Sequence, residues 1–361
     1  MILFFKKIII GFKGLWSILS DNNLNDSETY FPEIGERKKK WTIIIEQIKH
    51  FFKYRSINNF YFLYGFDRIN YRNVNDYVDY EKFRRKREVL NHRNNNAPIS
   101  LLRNKFLFGI FAEKMGILTP KNIAYIRNGK IYILQDNSEI NLDEFVKCNN
   151  IDAFLKVIDG ECADGVFHII INNGVITIDD NLITIDDLRT LLLNKSFILQ
   201  KRIKQCEALS KLHPQSINTI RVETIWNIEK QQIEILPPLL RIGTKGKSVD
   251  NWAVGGLAVM INLKESCLGK YGFYKPHFGT KVAMHPDTNI VFEGYEIPFM
   301  SEAIEQVKFL HSFLTDIHSI GWDIAITEQG PCIIEGNDNW EISLVQICSH
   351  GLMNEFNSMF K

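Results

Sequence analysis

The residues whose types and spacing promise chemistry lie near the end of the chain, in Gly321-Trp322-Asp323-Ile324-Ala325-Ile326-Thr327-Glu328-Gln329-Gly330-Pro331-Cys332-Ile333-Ile334-Glu335-Gly336-Asn337. Two short apolar runs flank Glu-Gln-Gly, the pattern of a hairpin with a three-residue loop. Such a loop sets Thr327 opposite Pro331 and, counting back, Asp323 opposite Glu335. Directly opposed residues of an antiparallel pair have Cβ atoms about 4.5–5.5 Å apart. Asn337, two residues beyond Glu335, falls on the same face. Two carboxylates and an amide oxygen then converge among Ile324, Ile326, Ile333 and Ile334, where an unpaired carboxylate is costly. A divalent cation with a preference for oxygen, Mg2+ or Mn2+, is the expected occupant. A two-residue loop would instead put the two carboxylates on opposite faces.

Positive groups stand in comparable settings upstream. Lys156 is centred in the apolar run Phe154-Leu155-Lys156-Val157-Ile158, and a lysine is rarely buried without a partner. The loop after it, Asp159-Gly160-Glu161-Cys162-Ala163-Asp164-Gly165-Val166, carries two glycines that allow backbone N–H groups to approach a phosphate, or simply to turn a hairpin. It is not a Walker A loop, because GxxxxGK[ST] is absent. Asn218-Thr219-Ile220-Arg221-Val222-Glu223-Thr224 and Leu239-Leu240-Arg241-Ile242-Gly243 each set an arginine within a β run. Its planar fork suits a carboxylate, a phosphate or a structural salt bridge. Trp252, Gly255 and Gly256 mark a loop close to a ligand or to another backbone, and His213-Pro214 and His285-Pro286 read as turns.

The elements that must position these groups follow from periodicity. Helical spacing recurs over 41–54 and 77–90, a polar linker covers 91–98, and 104–116 reads as an amphipathic helix stopped by Gly116. Short strands are predicted at 122–126, 130–134, 153–158, 166–171, 175–178 and 197–203, with a helix over 187–194. A helix at 205–212, strands at 218–227, 231–241 and 257–262, and a helix at 301–319 lead to the hairpin. The fold class is α+β, with helices expected on one side of the second unit. The expected domains are 1–98, mainly helical, then 99–203 and 204–361.

Composition narrows the function classes. A chain of 361 residues with 45% hydrophobic content can bury two or three cores. Its net charge of +1 gives no global attraction to nucleic acid. The six cysteines and nine histidines show no zinc spacing, and the scattered cysteines fit a reducing, cytoplasmic setting. Basic runs at Arg37–Lys40 and Lys82–Arg87 are read as solvated helix faces, or as a surface for anionic lipid or a phosphorylated substrate. The apolar start, interrupted by Lys6, Lys7 and Lys13, reads as an amphipathic helix packed on the domain or lying on a membrane, not as a signal peptide or span.

Taken in order, a helix-start Lys105, the strand Lys156, a glycine loop, the strand end Gln200-Lys201-Arg202-Ile203, arginine strands and a terminal Asp323…Glu335-x-Asn337 resemble an ATP-grasp enzyme. The wording is closer still to the sugar-transfer associated ATP-grasp family. It rests on His213-Pro214-x-Ser216-x-Asn218-Thr219-Ile220-Arg221, Gly255-Gly256, Gly321-Trp322-Asp323-Ile324-Ala325 and Glu335-Gly336-Asn337, with Tyr64-Gly65-Phe66-Asp67 and Asn104-Lys105 upstream. The resemblance implies an ATP-grasp fold, two α+β subdomains clasping a nucleotide. Lys105 and Lys156 would contact ATP phosphates under a lid that includes Asp159, Gly160, Ala163 and Gly165. Gln200, Lys201 and Ile203 would hold adenine, although many ATP-grasp hinges carry glutamate where Gln200 stands. Asn218 and Arg221 would complete the nucleotide site, Asp323, Glu335 and Asn337 would hold Mg2+ or Mn2+, and Arg241 with Lys156 would stabilise the transferred phosphoryl group. The activity implied is an ATP-dependent carboxylate–amine ligase acting in surface-glycan or glycoconjugate assembly. Its substrates would be a small carboxylic acid and an amine, such as an amino acid or an amino or uronic sugar. A hydroxyl kinase, or a non-catalytic nucleotide-binding accessory protein at the inner membrane face, are the alternatives.

Overall fold

The short alternating runs after residue 120 fold into one antiparallel sheet. The computed structural model describes residues 30–92, 97–160, 165–193, 195–246, 249–275 and 278–361. Strands β1 (Asn122–Arg127), β2 (Lys130–Ile133), β3 (Ser138–Ile140), β4 (Ile151–Val157), β5 (Val166–Asn172), β6 (Val175–Ile178), β7 (Asn181–Ile183) and β8 (Ser196–Lys201) pair in the order β3-β2-β1-β8-β4-β5-β6-β7. Alternate apolar residues such as Ala124, Ile126, Leu155, Ile169, Phe197 and Leu199 form its core under the two short helices Leu142–Cys148 and Ile185–Leu191. The three-residue strands β3 and β7 are too brief to leave a periodic signal, and the first of these helices is not expected from the sequence. Both helices start on side-chain caps, from Asn141 to the Glu144 N–H at 2.8 Å and through a Thr184–Asp187 capping box.

The second sheet is larger and holds the hairpin. It joins β9 (Thr219–Asn227), β10 (Gln232–Ile235), β11 (Leu239–Ile242), β12 (Leu257–Asn262), β13 (Cys267–Tyr274), β14 (Lys281–Val282), β15 (Ser319–Thr327) and β16 (Gly330–Asn337). Their order is β14-β13-β12-β11-β9-β15-β16, with β10 also on β9. The strand predicted over 231–241 is broken at Pro237-Pro238, which cannot donate to a ladder. On one face Ile220, Val222, Leu240, Val259, Trp322 and Ile324 pack beneath the helices Lys105–Lys114 and Met300–Ser312. That last helix ends at Ser312, well short of residue 319, and the chain turns there so that β15 begins at Ser319.

Helices cover the other face as well, correcting the one-sided expectation. Ile225, Leu239, Ala258 and Phe273 meet Trp340, the helices Ile342–Cys348 and Met353–Met359, and the N-terminal aromatic residues Phe31, Tyr61, Tyr64 and Phe83. The N-terminal region is thus packed onto the second sheet. Its helices span Lys40–Tyr54 and Tyr80–Asn91, and a further helix, Ala97–Arg103, begins where a linker was expected. Part of the basic runs is internal wiring. Arg37 pairs with Asp67 at 3.2 Å, Lys38 with Glu46 at 2.9 Å, and buried Arg87 donates to the Trp340 carbonyl and to Asn339. The amphipathic segment expected at residues 1–16 lies outside the described residues. Among the described residues no helix is long and apolar enough to cross a membrane.

Candidate functional site

The hairpin turns one residue earlier than its sequence suggests. Thr327 pairs with Gly330 across a two-residue loop, Ile326 with Pro331, and Ile324 with Ile333. Continued without interruption, that register would turn Asp323 and Glu335 to opposite faces. A bulge at Ile334 restores the match, so Asp323 does stand opposite Glu335. Asn337 pairs with Gly321, and its Nδ2 donates to Glu335 Oε1 at 3.2 Å.

Neighbouring strands extend this charged face. Asp323 pairs with Arg221 on β9, and Arg241 on β11 pairs with Thr219, two residues before Arg221 and on the same face. Asp323 is buried and accepts from Arg221 Nε at 2.6 Å, Arg221 Nη2 at 3.1 Å and Arg241 Nη2 at 3.0 Å. Burial opposes ionisation of Asp323, yet the two guanidinium groups outweigh it and hold its carboxyl below the ordinary carboxylate range. Arg241 is also bonded to Thr219 Oγ1 at 2.7 and 3.0 Å and lies 3.6 Å from Asp250. Asp250 accepts from the Thr219 N–H at 3.1 Å, and burial raises its pKa against the pull of Arg241. Glu223 follows Arg221 on the same strand face. Burial drives it up to about 7, and its Oε2 has no hydrogen-bond partner.

Arginines therefore supply much of the positive charge that a cation was expected to bring. Among the described residues no three His, Cys, Asp or Glu side chains are grouped as metal ligands. The set reaches three oxygen donors only with the Asn337 amide. Asp323, Glu335 and Asn337 nonetheless offer oxygen alone, the donor chemistry that suits Mg2+ or Mn2+. An ionised carboxylate has about four lone-pair sites, and Asp323 fills three of them with guanidinium donors.

The first sheet brings Lys156, and the helix Lys105–Lys114 brings Lys105, toward the same region. Lys156 on β4 is pushed down by burial and by Lys105, while Glu335 on β16 pulls it up, so all three lie within electrostatic reach. Lys105 opens its helix behind the Asn104 cap, donates its backbone N–H to the Ile158 carbonyl at 3.0 Å and its Nζ to the Gly160 carbonyl. The loop base is pinned where the Val157 N–H meets the Gly165 carbonyl at 2.9 Å, with Gly165 at φ +71°. Asp159 at the loop entrance is exposed, and Ala163 lies outside the described residues. Gln200 is buried and donates to Asn122 Oδ1 at 2.9 Å. The Lys201 N–H donates to the Lys121 carbonyl at 2.9 Å, and Ile203 follows in the connection to the next helix.

Asn218 is fully buried, and its polar atoms are occupied by protein. Its Nδ2 donates to Gln205, Leu209 and His213 at 3.2, 2.8 and 3.0 Å, and its Oδ1 accepts from Ser216 and the Gly243 N–H, each at 3.3 Å. It ties the His213–Asn218 segment to β11. His213 and His285 are more than turn residues. Both are buried, His213 bonds Ser216 Oγ at 2.9 Å and His285 bonds the Gly243 carbonyl at 2.8 Å. Gly256 lies tight against the Asp250 backbone, the close approach its sequence pointed to. Sequence reasoning missed Asp250 and Glu223. It also missed the bidentate pair of Arg103 with Asp338 at 2.9 and 2.8 Å, which anchors the helix before Lys105 to the end of β16.

A profile described as sugar-transfer associated ATP-grasp matches residues 84–361. The chain belongs to that family. Its α+β ATP-grasp fold is the one the sequence resemblance implied. No curated protein sequence is a significant match to it. Similar solved structures include an ADP complex of N5-carboxyaminoimidazole ribonucleotide synthetase, 14% identical over 68% of this chain and 47% of that one, with TM-score 0.38. The Thermotoga maritima synthetase of the same name gives 15%, 70%, 48% and 0.36. D-Alanine-D-alanine ligase from Helicobacter pylori gives 13%, 72%, 60% and 0.40. This ATP-grasp chain thus spans about half the length of the synthetases it matches. At these identities and TM-scores the family assignment rests on the profile match alone.

Proposed function

We propose that the protein is an ATP- and Mg2+-dependent carboxylate–amine ligase that forms an amide through an acyl phosphate, in the assembly of a surface polysaccharide or glycoconjugate. The supporting observation is the approach of Lys156 from the first sheet, and of Lys105 from the helix beside it, to Glu335 on the second sheet, where Asp323, Arg221 and Arg241 are also paired. A carboxylate attacking a γ-phosphate meets like-charge repulsion, which fixed positive groups must offset. In this reading Lys105 and Lys156 bind the phosphates, and Arg241 stabilises the transferred phosphoryl group while Thr219 and Asp250 hold its guanidinium in place. Asp323, Glu335 and Asn337 would hold the cation, which when bound supplies charge neutralisation of the phosphate oxygens. Asp159, Gly160, Ala163 and Gly165 belong to the lid that excludes water from the acyl phosphate. Gln200, Lys201 and Ile203 face adenine. Asn218 serves the site indirectly, by fixing the strand that carries Arg221. The nucleotide lies between 99–203 and 204–361, with 1–98 on the acceptor side or toward an anionic membrane surface.

ADP release during turnover on a panel of acid–amine pairs tests the reading. Asp323→Ala and Glu335→Ala are each expected to lose about 100-fold or more in rate, with the fold checked by circular dichroism. Undiminished turnover in both variants would sink it. A stable phosphoester formed without any amine would identify a kinase instead. ATP binding with no turnover across the panel would favour an accessory protein.

A further inference from the structure

A cavity of about 320 Å3 opens in the N-terminal region, before the residues that match the family. It lies between the helix Lys40–Tyr54, the turn at 56–61 and the segment 74–81, and the rings of Tyr54, Phe60, Tyr61, Tyr64, Tyr77 and Tyr80 line it. These rings are mutually braced, with Tyr64 and Tyr77 centroids 4.7 Å apart and Phe60 and Tyr64 5.8 Å apart. The size falls within the range of small-molecule sites, about 300–1,000 Å3.

Charge at the cavity is one-sided once internal pairs are set aside. Glu46 is taken by Lys38 at 2.9 Å and by the Tyr61 hydroxyl. Asp79 is taken by His50 at 3.1 Å and the Lys82 N–H at 2.9 Å, and Glu81 by Arg84 at 2.9 Å. Lys49 and Lys53 are exposed at the rim and have no carboxylate partner among the described residues. Lys53 rests 4.9 Å above the Tyr54 ring. Aromatic faces accept the C–H face of a sugar ring. The side-chain amides, and the tyrosine hydroxyls other than those of Tyr61 and Tyr64, which Glu46 and Gln346 engage, can bond its hydroxyls. The two rim ammonium groups favour an anionic substituent. A cationic ligand would meet repulsion, and an acyl chain would strand the hydroxyls and amides.

We infer that this cavity binds a sugar ring carrying an anionic group, a carboxylate or a phosphate, against the tyrosine wall with the charge at Lys49 and Lys53. The site stands apart from the nucleotide reading and needs neither ATP nor metal. Saturation-transfer NMR on the full chain without either, using glucuronic acid, glucose 6-phosphate, glucose, inorganic phosphate and UMP, is the test. Glucuronic acid or glucose 6-phosphate is expected to bind about tenfold more tightly than glucose, and the comparison of the two tells carboxylate from phosphate. Reversing the rim charge in Lys49→Glu/Lys53→Glu, at exposed positions that leave the fold intact, is expected to weaken binding about tenfold, and Tyr80→Leu to weaken all sugars. Four results would each overturn the inference: no sugar bound up to about 20 mM, glucose bound as tightly as the acidic sugars, UMP or phosphate preferred to both, or affinity indifferent to charge reversal. Loss of this site leaves the ADP-release test untouched, so the two readings fail separately.

Discussion

Glu223 and Asp323 occupy one sheet face, feel the same arginines and are driven in opposite directions. Asp323 receives three guanidinium bonds and stays ionised, whereas Glu223 has an oxygen without a partner and burial raises it to about 7. The sign follows from linkage. A carboxyl whose folded pKa lies above its unfolded value near 4.5 contributes fully below that value, and the contribution is lost as pH rises toward 7. At 1.36 kcal/mol per unit the loss is about 3 kcal/mol. Buried His311, pulled down to about 4, works the other way, its contribution fading as pH falls from 6.5. Only a difference between proteins isolates Glu223. Urea denaturation of wild type and Glu223→Gln in metal-free buffer is therefore expected to show the variant gaining relative stability by up to about 3 kcal/mol between pH 4.5 and 7.5. Parallel pH profiles would mean that Glu223 titrates as an ordinary carboxylate.

At the scale of the element, the hairpin shows how much of the site was legible and why the rest was not. Acidic residues in an apolar run marked Asp323 and Glu335, and a lysine in a similar run marked Lys156. The turn was misread by one residue because Glu328-Gln329-Gly330 fits either loop length. The compensating bulge is invisible in Ile333-Ile334, where both neighbours are apolar and alternation gives no signal. Glu223 was hidden because Arg221-Val222-Glu223 alternates like a solvated strand, and Asp250 because Val249-Asp250-Asn251 reads as loop chemistry. The turn itself depends on Gly330, at φ +112°, where an added Cβ would meet nothing within 4 Å. Gly330→Ala, which adds only that Cβ, thus incurs only a backbone cost, about 1–3 kcal/mol. Urea denaturation should register that loss, with Asp323 still facing Glu335. A change below about 0.5 kcal/mol would show that the loop relaxes to a conformation open to any residue.

At the scale of the whole molecule, Lys156 comes from a sheet with its own core, and Asp323 and Glu335 with their arginines from another. Few direct bonds join them at this point, and Lys156 meets Glu335 only through their charges. A ligand carrying several negative charges together with a cation would bridge the halves, and binding to the folded state alone adds RT ln(1 + [L]/Kd) to stability, about 2.7 kcal/mol at 100-fold excess over Kd. Thermal unfolding of the wild type should accordingly shift upward by several degrees in saturating Mg2+–ATP, and by much less with ATP in EDTA. Lys156→Met removes the first sheet's positive charge while filling the same apolar space, so it should unfold near the wild-type temperature without ligand and lose much of the ATP-dependent shift. Equal shifts in the variant and the wild type would mean that nucleotide is held by the second sheet alone. Lys156 would then be a buried structural cation balanced against Glu335, and the two sheets would not share the nucleotide.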